Sequence, residues 1–221
     1  MSSTIKAFIF DLDGVITDTA EYHFQAWKAL GEELGISFGR DFNEQLKGVS
    51  REESLERILA LGDRDLGLSE EEKAALCAKK NDHYKQLIEG ISPKDILPGI
   101  EDLLKDVKAA GIPMAIGSAS RNAPAIIEKL ELNGYFDYIV DAGKVTKGKP
   151  DPETFTVAAD HFGADYGSCV GVEDAHAGIE ALKAAGMFAV GVGSEESLGK
   201  ADYRVDSTEQ LKFDAIVQRF V

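Results

Sequence analysis

The run Ile5-Lys6-Ala7-Phe8-Ile9-Phe10 stops abruptly at Asp11-Leu12-Asp13-Gly14. A short stretch of branched and aromatic residues reads as a buried strand, and its sudden end in charge and glycine reads as the turn by which it leaves a sheet. Spacing of two directs the Asp11 and Asp13 side chains to the same side of an extended chain, and Gly14 permits a sharp exit. With 39 acidic residues in the chain, such a pair arises easily by chance. Its position at a strand exit is what gives it interest.

Further short apolar runs lie at Met114 to Gly117, Tyr138 to Val140, Cys169 to Val172, Phe188 to Val192 and Tyr203 to Val205. Between them run segments of helical spacing, such as Ile100, Leu103, Leu104 and Val107, or Ile126, Ile127 and Leu130, or Phe155, Ala159 and Phe162, or Ile179 and Leu182. Strands alternating with helices predict an α/β fold with a doubly wound parallel sheet, Rossmann-like, covered by helices on both faces. From about Ala20 to Ser92 the spacing is helical throughout, carried by Phe24, Trp27 and Leu30, then Leu55 and Ile58, then Cys77, Tyr84 and Ile88. The first strand belongs with the later ones, so this block is an insertion. The expected organisation is a catalytic core of residues 1–16 and 93–221 and an all-helical cap of residues 17–92.

With 221 residues and 44% hydrophobic content, the chain can bury one good core and a smaller accessory unit. A formal net charge of -15 argues against tracking nucleic-acid phosphates or anionic lipid, both of which need clustered Lys and Arg. No apolar run approaches the length that spans a bilayer, and no leader-like start is visible, so a cytoplasmic protein is expected. Cys77 and Cys169 lack metal-type spacing and read as reduced thiols. Small-molecule chemistry is what remains. An acidic protein that handles a phosphate ester needs a divalent cation and a few placed basic groups at its site.

The reactive side chains converge. In an open α/β sheet ligands bind beyond the carboxyl ends of the strands. Asp11 and Asp13 follow the first strand, Ser118 follows Met114 to Gly117, Lys149 lies in the loop after Tyr138 to Val140, and Glu173-Asp174 follow Cys169 to Val172. Taken singly, each has a plain alternative: Ser118 can cap the next helix, Lys149-Pro150 can be a surface loop, and Glu173-Asp174 can be a solvated acidic pair. Together they make a site for a hard cation and a phosphate.

Phe10-Asp11-Leu12-Asp13-Gly14-Val15, Gly117-Ser118-Ala119-Ser120, Lys149-Pro150 and Gly171-Val172-Glu173-Asp174 resemble, in order, the signatures of the haloacid dehalogenase superfamily. The run from Asp13 to His23 and the run Leu46-Lys47-Gly48-Val49-Ser50-Arg51 resemble the sugar-phosphate mutases within it. That resemblance implies that Asp11 is a nucleophile carrying a phosphoryl group, and that Asp11, Glu173, Asp174 and the main-chain carbonyl of Asp13 hold Mg²⁺. It implies that Lys149, Ser118 and the Ala119 amide hold the transferring phosphate, and that Asp13 shuttles the proton. His23 and Lys80 are, by resemblance, the cap residues that interact with Asp13 on closing. Arg51, with Ser120 and Asn122, suits a second phosphate, while Thr19, Gly48, Val49, Ser50 and Ser54 seat the sugar or limit closure. Trp27 joins the expected substrate-binding set. For the smaller residues a helix-cap or turn role stands beside the functional one.

The implied reaction interconverts β-glucose 1-phosphate and glucose 6-phosphate through β-glucose 1,6-bisphosphate, which also serves as primer, in a monomeric protein. Cap closure would keep water from phospho-Asp11. The nearest rival is a sugar-phosphate phosphatase with the same core residues and water as acceptor. A dehalogenase has little use for the acidic constellation, and a receiver-like phospho-aspartate module needs no helical insert.

Overall fold

The computed structural model describes residues 4–62 and 66–220. Its strands are β1 (Ala7–Phe10), β2 (Met114–Ile116), β3 (Tyr138–Ile139), β4 (Cys169–Glu173), β5 (Phe188–Val192) and β6 (Tyr203–Val205). In chain order its helices are α1 (Ala20–Glu33), α2 (Arg40–Asn43), α3 (Arg51–Leu59), α4 (Glu70–Leu87), α5 (Ile100–Ala109), α6 (Ala123–Lys129), α7 (Glu153–His161), α8 (His176–Ala185), α9 (Glu195–Leu198) and α10 (Phe213–Arg219). They divide between two compact units, one formed by the described residues through Asp18 with those from Ile91 onward, the other by Thr19–Gly90. The boundaries read from the sequence, 16/17 and 92/93, stand two residues from these at each crossing.

The first unit holds one six-stranded parallel sheet in the order β3-β2-β1-β4-β5-β6. This is the doubly wound arrangement expected from the alternation of elements. Alternate residues of β1 face opposite layers. Phe8 meets Phe213 of α10 at 6.1 Å between ring centroids, whereas Ala7 and Ile9 belong to a buried cluster with Phe155 and Ala159 of α7 and Ile179 and Leu182 of α8. With apolar side chains needed on both faces, β1 reads as a continuous apolar run rather than as an alternating one.

Because the order reverses on either side of β1, the crevice beyond β1 and β4 is the topological switch point of the sheet. Strand ends there are in tight register: Phe10 is paired with both Ile116 and Val172, and the Asp11 amide donates to the Val172 carbonyl at 2.9 Å. β4 runs one residue further than the sequence indicated and includes Glu173.

The second unit is helical, with no strand among its described residues. Helices α1 and α3 both pack on α4, around a core of Trp27, Leu30, Ile36, Leu46, Leu55, Ile58 and Cys77. Ser69 and Glu72 form a reciprocal capping box that starts α4.

Candidate active site

Asp11 leaves the edge of the sheet with only 4% of its surface exposed. The chain after it folds back on itself: the Leu12 carbonyl accepts from Ile16 at 2.9 Å and the Gly14 amide donates to the Thr17 carbonyl at 2.8 Å. Leu12, Val15 and Ile16 are buried, and Thr17 Oγ1 donates to the Asp95 carbonyl at 2.8 Å. Apolar residues thus hold the loop down while Asp11, Asp13 and Gly14 stay at its rim. Asp13 is half-buried and its backbone bridges to Thr17.

Lys149 comes from the loop between β3 and α7, and its ammonium donates to Asp11 Oδ1 at 2.6 Å and to Glu173 Oε2 at 3.0 Å. The aromatic face of Phe155 lies 4.7 Å beneath it. Burial would lower the lysine pKa, but the charges of Asp11 and Glu173 overcome this and hold it above its ordinary value. Lys149 is therefore a fixed ammonium at any physiological pH. Glu173, fully buried, is pushed well above the usual carboxylate range by burial first and by the Asp11 charge second, with Lys149 opposing. Its second oxygen, Oε1, accepts from the Ala175 amide at 3.1 Å.

Carboxylate oxygens of Asp11, Glu173 and Asp174 lie within 4.8 Å of one another. Lys149 offsets only part of the charge of these three acids, and Mg²⁺ prefers such hard oxygen donors. Two glycines make the approach possible. A β-carbon on Gly14 would meet Asp174 Oδ2 at 2.2 Å, and one on Gly178 of α8 would meet the Glu173 side chain at 2.0 Å. The donor set fits a divalent cation.

Ser118 follows β2, where the Gly117 amide donates to the Phe10 carbonyl at 2.8 Å, so it stands at the same sheet edge as Asp11. It is buried, and its Oγ accepts from the Ser120 amide at 3.0 Å. The alternative that Ser118 caps the next helix is thereby corrected: α6 starts after Asn122, and neither makes a side-chain cap bond to it. Ser120 Oγ accepts from the Asn122 amide at 3.3 Å, while Ala119 is half-buried between the two serines.

In the helical unit, Lys80 is 2% exposed, with its ammonium 2.7 Å from His23 Nδ1 and over the rings of Trp27 and Tyr84. Burial first, then the charges of Lys80 and Arg51, hold the His23 pKa well below its ordinary value. A neutral His23 can accept from Lys80 at Nδ1, which leaves its proton on Nε2. Arg51 Nη2 donates to Asn81 Oδ1 at 2.8 Å. Ser50 is the N-cap of α3, accepting from the Glu53 amide at 3.1 Å, and Ser54 Oγ donates back to the Ser50 carbonyl at 2.9 Å. Gly48 takes a left-handed φ of 72°, Val49 and Thr19 are buried, and Trp27 sits in the cap core.

Residues that sequence reasoning did not single out also shape these groups. Glu153 accepts from the Thr146 amide, the Thr146 hydroxyl and the Lys147 amide, at 2.8, 2.7 and 2.8 Å, and so ties down the loop that delivers Lys149. The only local signal is an acid in the first turn of a helix. Tyr84 lies 3.9 Å, centroid to centroid, from the His23 ring, and a contact so distant in sequence leaves no local trace.

A parallel sheet with an aspartate at its switch point, an ammonium bonded to it and two further acids beside it defines a class. The chain belongs to the haloacid dehalogenase-like hydrolase family, whose family model matches residues 5–186. It is 49% identical to a β-phosphoglucomutase of Bacillus subtilis, over 96% of this chain and 94% of that protein. A crystal structure of a β-phosphoglucomutase from Clostridium difficile superposes with a TM-score of 0.96 at 50% identity, covering 98% of this chain and 97% of that one. A phosphorylated carbohydrates phosphatase of Thermotoga maritima is 30% identical, over 96% of this chain and 97% of its own.

Proposed function

We propose that this chain has β-phosphoglucomutase activity, interconverting β-D-glucose 1-phosphate and glucose 6-phosphate as a monomeric, cytoplasmic enzyme. The observation that carries the reading is the buried Asp11–Lys149 pair at 2.6 Å, set beside Glu173 and Asp174. Likeness to the Bacillus subtilis enzyme along nearly the whole chain supports the mutase over its relatives.

Asp11 attacks phosphorus, the bond from phosphorus to the sugar oxygen breaks, and Asp13 gives its proton to that oxygen. In the return step a sugar hydroxyl loses its proton to Asp13 and takes the phosphoryl group from Asp11. From phospho-Asp11, the C6 hydroxyl of β-glucose 1-phosphate accepts first, forming β-glucose 1,6-bisphosphate. The bisphosphate turns round, its C1 phosphoryl group passes to Asp11, and glucose 6-phosphate leaves. The same bisphosphate primes the resting protein.

Asp11, Glu173, Asp174 and the Asp13 carbonyl would hold Mg²⁺, which would supply charge neutralisation for phosphoryl transfer. Lys149 adds a fixed positive charge to the same group, and Ser118 with the Ala119 amide holds its equatorial oxygens. In the helical unit Arg51 is the candidate for holding the second phosphate, and Lys80 and His23 are candidates for assisting proton transfer; in the first unit Ser120 and Asn122 are candidate substrate-binding residues. Thr19, Gly48, Val49, Ser50 and Ser54 help seat the sugar, and Trp27 belongs to the same proposed substrate-binding set.

A phosphatase reading has the Thermotoga maritima relative in its favour. One assay separates the two: β-glucose 1-phosphate, Mg²⁺ and a trace of the 1,6-bisphosphate, followed for both glucose 6-phosphate and free phosphate. Isomer with little phosphate is expected. Steady phosphate release without isomer overturns the mutase, and full activity in Asp11→Asn overturns the covalent mechanism.

A further inference from the structure

We infer that Thr17 is a positioning residue for Asp13, its hydroxyl tying the turn that carries Asp13 to the returning stretch of chain at Asp95–Leu97. This rests on the proton-transfer role proposed for Asp13.

Thr17 closes the turn that begins at Asp11. Its amide donates to the Leu12 carbonyl at 3.2 Å and its carbonyl accepts from the Gly14 amide at 2.8 Å, while its backbone bridges in parallel to Asp13. On its other side Thr17 bridges in antiparallel fashion to Ile96, and the Leu97 amide donates to the Ile16 carbonyl at 2.9 Å. One residue thus joins the Asp13 turn to a segment 78 positions further along the chain.

The side chain fixes what the backbone contacts begin. Thr17 is 1% exposed, and its Oγ1 donates to the Asp95 carbonyl at 2.8 Å. A hydroxyl buried to this degree is costly without such a bond, so the bond selects one arrangement of the two segments. The acceptor is itself held in place. Ser92 donates to Asp95 Oδ2 from its amide at 2.9 Å and from its hydroxyl at 3.1 Å, and the Asp95 amide donates to the Ser92 carbonyl at 2.9 Å. The Asp13 turn is therefore braced against a second turn that is already closed.

The proton from Asp13 matters only for a poor leaving group. A sugar oxygen needs a proton as its bond to phosphorus breaks, whereas acetate leaves acetyl phosphate as a stable anion. A displaced Asp13 consequently slows one phosphoryl donor and spares the other.

The test compares rates of Asp11 phosphorylation by β-glucose 1,6-bisphosphate and by acetyl phosphate, both at saturating Mg²⁺, in Thr17→Val, Thr17→Ser and Asp13→Asn. The ratio of the first rate to the second is expected to fall about tenfold in Thr17→Val, which keeps the shape and loses the donor, and about a hundredfold in Asp13→Asn. Thr17→Ser, which keeps the donor, should restore the ratio to within about twofold, and Thr17→Val should add nothing in the Asp13→Asn background. If Thr17→Val leaves the ratio at the wild-type value while Asp13→Asn lowers it, the inference fails and the role of Asp13 stands. If Asp13→Asn leaves the ratio unchanged, the proton-transfer role fails, and this inference with it. Equal losses toward both donors in Thr17→Val would make Thr17 a structural residue only and overturn the inference. Should Thr17→Val not fold, Asp95→Ala, which loosens the exposed turn carrying the acceptor, replaces it: a fall of about threefold supports the inference and an unchanged ratio overturns it.

Discussion

Gly14 lies so close to Asp174 that a β-carbon on it would stand 2.2 Å from a carboxylate oxygen, and its φ of +81° is one that side chains rarely adopt. The turn after Asp11 and the acid after β4 are therefore fitted to each other. Gly14→Ala should cost about 1–2 kcal/mol for the left-handed backbone alone, and should also displace Asp174. Isothermal titration with Mg²⁺ is expected to show at least tenfold weaker binding, since a proposed ligand of the cation would have moved.

Lys149 separates two buried acids, Asp11 and Glu173. Lys149→Met leaves them facing each other, at a cost of about 3–5 kcal/mol by analogy with broken buried pairs. Lys149 has a raised pKa in the folded state, so its contribution is complete below about 10.5 and fades as pH rises above that value. Thermal melts from pH 6 to 10 should show the full deficit in the variant. The deficit should shrink in acid, where protonation of the carboxylates removes their repulsion.

Glu153 is an anchor outside the Asp11–Lys149 pair. Its three bonds to Thr146 and Lys147 hold the loop that leads to Lys149. Because these bonds are exposed, Glu153→Ala should leave Tm almost unchanged. Misplacement of Lys149 should matter more, lowering kcat about tenfold or beyond. Comparing Tm with the rate of Asp11 phosphorylation checks this; a loss of rate no larger than the loss of folded protein counts against the anchor.

His23 gives the helical unit an acid sensitivity. Its folded-state pKa is depressed by burial and by Lys80 and Arg51. Below about 6.5 the unfolded chain binds a proton that the folded one refuses. Stability therefore rises with pH through the window under that value and is lost as pH falls through it. His23→Gln, which has no such proton to bind, should flatten the acid limb of a Tm against pH profile between about 5 and 6.5.

Much of the core was legible because its signals are local. The strand at Ala7–Phe10 announces itself by apolar residues that end at a charge, β4 shares that pattern, and β2 and β5 are apolar runs that end in Gly117-Ser118 and Gly193-Ser194. Parallel strands joined by helices have few permitted topologies, so the common sheet edge for Asp11, Ser118, Lys149 and Glu173 followed from order alone. The extent of β4 was read short because Glu173 looks like a loop residue until Lys149 is known to satisfy it. Ser118 was equally ambiguous, since a hydroxyl before a helix and a hydroxyl at a turn look alike in sequence.

What the amino-acid sequence determined by itself was the alternation of elements, the acidic character that calls for a cation, and the identities of the groups gathered at the strand ends. Tertiary structure alone decided which of those groups touch. The Lys149 bonds to Asp11 and Glu173, the Gly14 and Gly178 approaches, the Glu153 anchor and the Arg51–Asn81 bond all join residues from different elements or loops. Such contacts depend on how side chains pack in three dimensions, and the spacing of residues along a chain does not encode them.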